Sequence, residues 1–266
     1  MALWHLLLLA ALQGVTEFLP ISSSGHLILL PALTDLPDQG PFLDVAVHVG
    51  TLGAVISYFR TEVARAANGL VGLARRRSGP DEHLALGLVI ATIPVVLAGF
   101  AIQATIGVDA LRSVAVIGWS MLGFGLLLWW YDRTGDHAKV LLDWTPSQAL
   151  KLGLWQAVAL VPGTSRSGIC ITGARAMGYG REDAARIAML MSIPTILASG
   201  TLLGLDVVGQ GTAAIWRDAA IGAAFAFAAA LLALTLMMRL LKSVSFTPYV
   251  IYRVALGAGL LWWAYA

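Results

Sequence analysis

The stretch that decides the fold reads QGVTEFLPISSSGH, residues 13–26 of a 266-residue chain. It lies inside an apolar segment, about 3–34, and interrupts that segment with Pro20, three serines and a glycine. Proline removes a helical hydrogen bond, whereas serine and glycine favour turns and caps. A second apolar segment, about 147–173, is interrupted in the same way by PGTSRSG at residues 162–168. The sequence therefore predicts two helix–break–helix elements.

The composition indicates that a membrane surrounds these elements. Hydrophobic residues make up 58% of the chain, charged residues make up 12%, and the mean hydropathy is +0.80. Soluble domains carry about 25% charged residues, so a disordered chain, a solvated solenoid and almost any water-soluble enzyme are excluded. The net charge of +2 gives no indication of nucleic-acid binding, and the single cysteine, Cys170, excludes a disulfide framework within the chain.

Six further stretches are long enough to cross a bilayer, which needs about 20 apolar residues. They are 43–60, 84–105, 112–131, 184–206, 213–240 and 248–266. With this count, the basic connections 60–77, 132–151 and 174–186 share one side, which the positive-inside rule assigns to the cytoplasm. The predicted fold is an all-α polytopic membrane protein, a single domain over 1–266. It has six transmembrane helices and two re-entrant helix hairpins, with a broken full crossing as the alternative for each hairpin.

The two broken stretches also resemble each other. Because the six spans make them enter from opposite sides, the chain is predicted to be an inverted repeat of approximately 1–110 and 111–266. Such repeats place binding sites near the bilayer midplane. Chance similarity between glycine-rich apolar segments is the alternative. An ungapped offset of 143 residues pairs Gln13 with Gln156, Ser22 with Ser165, Ser24 with Ser167 and Gly25 with Gly168.

Ionisable groups inside a membrane are costly and usually functional, and three of them lie around the breaks: Glu17, His26 and Arg166. Backbone N–H groups of a Gly/Ser-rich turn before a helix form an anion cradle. An arginine adds a planar fork for phosphate oxygens. The sequence therefore predicts a phosphate or diphosphate site at membrane depth. The candidate binding residues are Gln13, Ser22, Ser24, Gly25, Gly163, Thr164, Ser165, Ser167 and Gly168.

Ser23 is a candidate nucleophile, with Glu17 or His26 as the base or as the acid that protonates the leaving oxygen. An alternative gives Glu17 a divalent cation, Mg or Ca, that bridges phosphate oxygens. Gln13 and Glu17 are four residues apart, so both point toward one ligand or ion.

Structural interpretations of the same residues stay open. In one interpretation, Glu17 and Arg166 form an ion pair between the two repeats. In another, His26 donates a hydrogen bond to a carbonyl. Ser24 and Ser167 are typical of helix caps. His48 is interpreted as a packed or hydrogen-bonded residue.

The runs Gln13-x-x-x-Glu17, PISSSGH at 20–26 and PGTSRS at 162–167 resemble the bacterial undecaprenyl-diphosphate phosphatase family, also called the bacitracin-resistance protein family. The resemblance covers essentially the whole chain. It implies an integral inner-membrane enzyme that hydrolyses undecaprenyl diphosphate to undecaprenyl phosphate and inorganic phosphate. This reaction recycles the lipid carrier for peptidoglycan synthesis and confers bacitracin resistance. The family motif residues fall on Glu17, Ser23, His26, Ser165 and Arg166.

Two positions depart from the family pattern. Cys170 stands where the family commonly has threonine, which leaves Thr172 as the hydroxyl that would contact phosphate instead. Gln13 stands at a position that also takes glutamate, so one carboxylate of a metal site is missing. The resemblance implies phosphoryl transfer to Ser23, with direct attack by water as the alternative. It also implies a cleft that opens to the periplasm and no organic cofactor.

A polyprenyl-phosphate transporter is the main rival function, because secondary carriers also use inverted repeats with broken helices. A carrier needs an anion site but no nucleophile, so the cluster of Ser23, Glu17 and His26 favours the enzyme. A purely structural subunit is disfavoured by an intramembrane Glu and Arg. The predicted partners are undecaprenyl diphosphate and membrane lipids, with no nucleic acid, and a homodimer is left open.

Overall fold

The computed structural model describes residues 2–33, 40–105, 107, 111–134, 138–207 and 212–266. Residue 34, at the end of the first predicted hairpin, and residue 110, at the predicted repeat boundary, lie outside these ranges. The described residues form eleven α-helices and no strand longer than an isolated bridge, which confirms the all-α prediction. The helices are α1 (Leu3–Phe18), α2 (Ser23–Leu33), α3 (Gly40–Tyr58), α4 (Arg60–Ala74), α5 (Pro80–Thr105), α6 (Val114–Arg133), α7 (Pro146–Ala157), α8 (Arg166–Ala176), α9 (Arg181–Val207), α10 (Ala213–Leu240) and α11 (Thr247–Tyr265).

Within the described ranges, five helices are long and apolar enough to cross a membrane: α3, α5, α6, α9 and α10. They correspond to the first five predicted spans. The sixth predicted span, 248–266, forms α11 but is not among the five. Helix α11 falls short because Arg253 and three tyrosines lower its mean hydropathy.

Both predicted breaks are present. Helix α1 ends at Phe18 and α2 begins at Ser23, so Pro20 lies in the break. In the second element α7 ends at Ala157, a short 3-10 turn follows over Val158–Leu160, and α8 begins at Arg166. The two breaks therefore present two turns, each directly before a helix N-terminus.

Most of the basic connection 60–77 forms helix α4, and Arg75–Arg77 follow its last residue, Ala74, outside the helix. Arg65 on α4 donates a 2.7 Å hydrogen bond to Asp81 on α5. Gly69 and Gly72 let α4 approach the first turn of α5 closely, since a Cβ at either position would collide with α5 atoms. Small residues on one side of α4 therefore bring it against α5.

Small residues also bring the long helices together, as is common in membrane proteins. A Cβ on Gly14 of α1 would lie 2.7 Å from the carbonyl oxygen of Ala226 on α10. A Cβ on Gly257 of α11 would lie 2.9 Å from the carbonyl oxygen of Gly118 on α6. These close approaches hold α1 and α11 against the bundle. Residues 167–175 of α8 are buried, so α8 lies in the core.

A buried charged cluster fixes the far end of α8. The carboxylate of Asp132 on α6 lies 3.2 Å from Arg175 and 2.8 Å from Arg181, and it accepts a hydrogen bond from the backbone N–H of Phe246. Asp132 and Arg175 are each only 3% exposed. Because loss of one partner would leave a buried charge uncompensated, this cluster locks α6, α8, α9 and the start of α11 together.

Candidate active site

The two turns share one local geometry at their first serine. Ser22 has φ = 75° and Ser165 has φ = 70°, a left-handed conformation that is rare for residues other than glycine. Each serine then caps the helix that follows. Ser22 Oγ accepts from the N–H of Gly25 at 3.4 Å, and Ser165 Oγ accepts from the N–H of Gly168 at 3.0 Å. Strained backbone of this kind clusters at functional sites.

The carboxylate of Glu17, at the end of α1, lies between the two turns. Its Oε1 accepts a 2.6 Å hydrogen bond from Nη2 of Arg166, the first residue of α8. Its Oε2 accepts from Ser23 Oγ at 2.6 Å and from Gln13 Nε2 at 3.0 Å. The side chains of Glu17 and Arg166 are 5% and 14% exposed, so the pair is screened weakly by water. Carboxylate, hydroxyl and guanidinium therefore converge on one point.

Two histidines border this cluster in different ways. His48 on α3 was interpreted from the sequence as a packed or hydrogen-bonded residue, and its Nδ1 lies 2.7 Å from the carbonyl of Asp44. Its Nε2 lies 4.0 Å from Oε2 of Glu17. His26 on α2 places Nδ1 2.6 Å from the carbonyl of Ser22 and Nε2 2.5 Å from the hydroxyl of Tyr252. Both ring nitrogens of His26 are thus engaged by groups other than Ser23.

Arg253 on α11 is fully buried and ties the two turns together. Its guanidinium donates to the carbonyls of Pro20 in the first turn and of Gly163 and Thr164 in the second, at 3.3, 3.2 and 2.8 Å. Two further bonds, at 3.2 and 3.3 Å, reach the carbonyls of Met121 and Ser120 on α6. Hydrogen bonds to a charged group are the strong ones. The distance between the turns is therefore set largely by this side chain.

Three buried polar atoms at the site have no hydrogen-bond partner within the described parts of the chain. They are Nη1 of Arg166, Oγ1 of Thr164 and Oε1 of Gln13. Buried polar groups are normally paired. Two of them, the guanidinium N–H of Arg166 and the hydroxyl of Thr164, are donors, and these two suit an anion that contacts the second turn.

Other predicted binding residues have local roles. Ser167 Oγ donates to the carbonyl of Leu19 at 2.9 Å and so adds a second link between the turns. Thr172 Oγ1 donates to the carbonyl of Gly168 at 2.7 Å, one turn back along α8, and is fully buried. The proton of the Thr172 hydroxyl is therefore used within α8. Ser24 is exposed at the start of α2, and its hydroxyl lies 3.4 Å from that of Ser22.

The site fits a resident divalent cation poorly. Across the described residues no group of three or more His, Cys, Asp or Glu side chains could hold a metal ion. Both oxygens of Glu17 already accept hydrogen bonds, one of them from a guanidinium. A guanidinium and a metal ion would compete for the same carboxylate. The side chains around Glu17 are therefore better suited to bind an anion.

Sequence reasoning overlooked two residues of the site, Tyr252 and Arg253. The charged candidates predicted from the sequence all lie near the broken stretches, whereas Arg253 lies inside a predicted simple span. An arginine in the middle of an apolar helix is itself a signal of function, so it was open to detection. The sequence gives no comparable signal for Tyr252, because tyrosine is common at membrane interfaces.

Comparisons with known proteins identify the family of the chain. Residues 6–259 match the family model for bacitracin resistance protein BacA. A protein of Ruegeria pomeroyi named undecaprenyl-diphosphatase is 66% identical, and the match covers 100% of both chains. Proteins of the same name from Dinoroseobacter shibae and Alteromonas mediterranea are 63% and 44% identical, again over 100% of both chains. The chain therefore belongs to the bacitracin resistance protein BacA family.

Proposed function

We propose that the protein is a membrane phosphatase that hydrolyses undecaprenyl diphosphate to undecaprenyl phosphate and inorganic phosphate. The relatives named above, which are 66%, 63% and 44% identical, carry the name of this activity. The observation that carries the proposal is the contact of Ser23 Oγ with Glu17 Oε2 at 2.6 Å, beside Arg166. A carrier of polyprenyl phosphate needs the cationic group but has no use for an activated hydroxyl.

In the first step, Ser23 Oγ attacks the terminal phosphorus of the diphosphate. Its proton passes to Oε2 of Glu17 as the new P–O bond forms, and the bond to the bridging oxygen breaks, which releases undecaprenyl phosphate. Nη1 of Arg166 has no described protein partner and is available to the equatorial oxygens. Such preorganised donors supply the largest stabilisation in reactions of this kind.

The helix N-termini supply the rest of the anion cradle. The first N–H groups of any α-helix lack intrahelical partners, and both α2 and α8 begin at the cluster, at Ser23 and Arg166. Their dipoles favour the charge that develops on phosphate. Water then hydrolyses the phosphoserine and restores Ser23. Direct attack by water on the diphosphate, with Ser23 as a hydrogen-bond donor, is the alternative to the covalent route.

The divalent cation, Mg or Ca, is proposed to arrive bound to the diphosphate and not to reside on Glu17. Such ions are commonly held by substrate phosphates with few protein ligands. This assignment follows from the guanidinium that Glu17 already pairs with. No step of the scheme above requires the cation.

The proposed setting is the bacterial inner membrane, with α11 as a sixth span and with α1–α2 and α7–α8 as re-entrant hairpins. Equivalent strain and capping at Ser22 and Ser165 support an inverted repeat. The cleft is proposed to open to the periplasm, where the spent carrier appears.

The test is phosphate release by the purified protein in detergent, with C55 diphosphate as substrate, with and without a chelator. The proposal predicts release by the wild type and loss in the Glu17→Gln and Arg166→Ala variants. Asp81→Asn serves as a matched control, because it makes the same type of change in the ion pair with Arg65, outside the site. Transport of polyprenyl phosphate into vesicles without any phosphate release would favour the transporter instead.

A further inference from the structure

One close contact of the site has no part in the scheme above. Nε2 of His26 on α2 and the hydroxyl of Tyr252 on α11 are 2.5 Å apart, although 226 residues separate them in sequence. The two rings lie in nearly parallel planes, at an angle of 8°. The 2.5 Å distance makes this contact a hydrogen bond, in which either group could be the donor.

The partner on the other ring nitrogen settles which group donates. Nδ1 of His26 lies 2.6 Å from the carbonyl oxygen of Ser22. A carbonyl oxygen only accepts, so Nδ1 carries a proton. In the neutral imidazole Nε2 is therefore unprotonated, and the hydroxyl of Tyr252 donates to it. The two contacts together select one tautomer and one ring orientation.

The backbone on both sides of this pair is held firmly. Ser22, whose carbonyl receives the Nδ1 proton, has the left-handed φ of 75° that shapes the first turn. Tyr252 precedes Arg253, which donates to the carbonyls of Pro20 in the first turn and Thr164 in the second. Arg253 thus fixes α11, and with it the Tyr252 hydroxyl, relative to the turn that carries His26.

Exposure places the pair at the open edge of the site. Tyr252 is 43% exposed, whereas Glu17 is 7% exposed. His26 is half-buried between them. The Tyr252 hydroxyl is in direct contact with Nε2, and a hydroxyl is able to take up one proton while it donates its own.

We propose that Tyr252 both holds His26 in the Nδ1-protonated tautomer and relays the proton that Nε2 takes up. The inference rests on the proposed phosphatase function. When water attacks the phosphorus of the phosphoserine, one proton leaves the water for the Tyr252 oxygen, the Tyr252 proton moves to Nε2, and His26 becomes an imidazolium. The phenol is unchanged at the end of this transfer. The bond from phosphorus to Ser23 Oγ breaks with its electron pair on Oγ, which takes back the proton that Glu17 accepted in the first step.

The kinetic test uses the full chain in detergent with C55 diphosphate. Tyr252→Phe is expected to lower kcat about tenfold, which corresponds to one lost hydrogen bond to a group that becomes charged, with KM unchanged. In a His26→Asn background the same substitution is expected to cost nothing further, because Tyr252 acts through His26. Tyr265→Phe is the matched control, since it removes another exposed phenol of α11. Among the described hydrogen bonds, the Tyr265 hydroxyl has only one, from Trp119.

A Tyr252→Phe enzyme with the wild-type kcat would overturn the proposal, and so would losses that multiply in the double variant. A second readout does not depend on turnover. In protein labelled with ¹⁵N-histidine, His26 is identified by comparison with His26→Asn, and its Nε2 resonance is expected to shift in Tyr252→Phe while Nδ1 stays protonated. An unchanged Nε2 resonance would overturn the proposal. Absence of phosphate release by the wild type would overturn the proposed function separately, since the resonance reports the contact itself.

Discussion

Oε1 of Glu17 accepts a 2.6 Å hydrogen bond from Nη2 of Arg166, which lies 149 residues later in the chain. The pair joins the end of α1 to the start of α8 and leaves the other guanidinium arm, Nη1, without a described partner. A purely structural pair would use both arms of the fork, as bidentate pairs with carboxylates do. The free arm favours an anion as the third member of the cluster.

Replacement of Glu17 by Gln removes the proton acceptor of Ser23. We expect kcat to fall about 10²- to 10⁴-fold, the usual contribution of a general base. Phosphate release from C55 diphosphate measures the effect, and a folded protein on size-exclusion chromatography is the control. Activity of Glu17→Gln close to that of Asp81→Asn would contradict the assignment.

Replacement of Arg166 by Lys keeps the charge but removes the fork. The single ammonium can pair with Glu17 or with the substrate, not with both in the arginine geometry. We expect kcat to fall about 10²- to 10³-fold, as for a lost oxyanion donor, with a smaller change in KM. Arg65→Lys is the matched control on the protein surface, and equal rates for the two variants would speak against a role of the fork in the reaction.

Replacement of Arg253 by Met removes five hydrogen bonds to backbone carbonyls. Unsatisfied buried groups cost about 1–3 kcal/mol each, so we expect a large fall in the thermal unfolding temperature in detergent, with loss of activity. Arg239→Met, at an exposed position near the end of α10, is expected to leave both unchanged. If Arg253→Met unfolded at the wild-type temperature, the turns would not depend on this side chain.

Two glycine-to-alanine changes are expected to act in opposite directions. Gly163 has φ = 88°, and a Cβ there would lie 2.6 Å from the carbonyl oxygen of Ile117, so Gly163→Ala is expected to destabilise the protein by about 1–3 kcal/mol. Gly123 lies within α6, and no described atom is within 4 Å of an added Cβ. Gly123→Ala is expected to be neutral or to stabilise by about 0.5–1 kcal/mol. The unfolding temperatures of both variants test the turn geometry, and an equal response would contradict it.

The breaks and the cluster were open to prediction because their residues are unusual for a membrane helix. Pro20 with three serines, and Pro162 with Ser165 and Arg166, cannot continue an apolar helix, so the helix ends are predictable to within a few residues. Glu17 and Arg166 are costly in a membrane unless they have a partner. Their spatial contact follows from that cost, and the structure places them together.

Other features depend on contacts that a sequence does not reveal. The partners of His26 are a carbonyl in a strained turn and a hydroxyl 226 residues away, and neither leaves a local pattern. His48 approaches Glu17 only because α3 packs near α1. Helix α4 was not predicted, because the five arginines of 60–77 are more conspicuous in the sequence than the small residues that face α5. Tertiary packing decides each of these cases.

The central claim is that Ser23, activated by Glu17, receives the phosphoryl group. Single-turnover phosphate release by Ser23→Ala tests it most directly, with Ser199→Ala on α9 as the control because its hydroxyl bonds only to its own helix in the described contacts. The claim predicts that Ser23→Ala is slower by about 10³-fold or more, as for a lost nucleophile, while Ser199→Ala keeps the wild-type rate. Release by Ser23→Ala at the wild-type rate would contradict it.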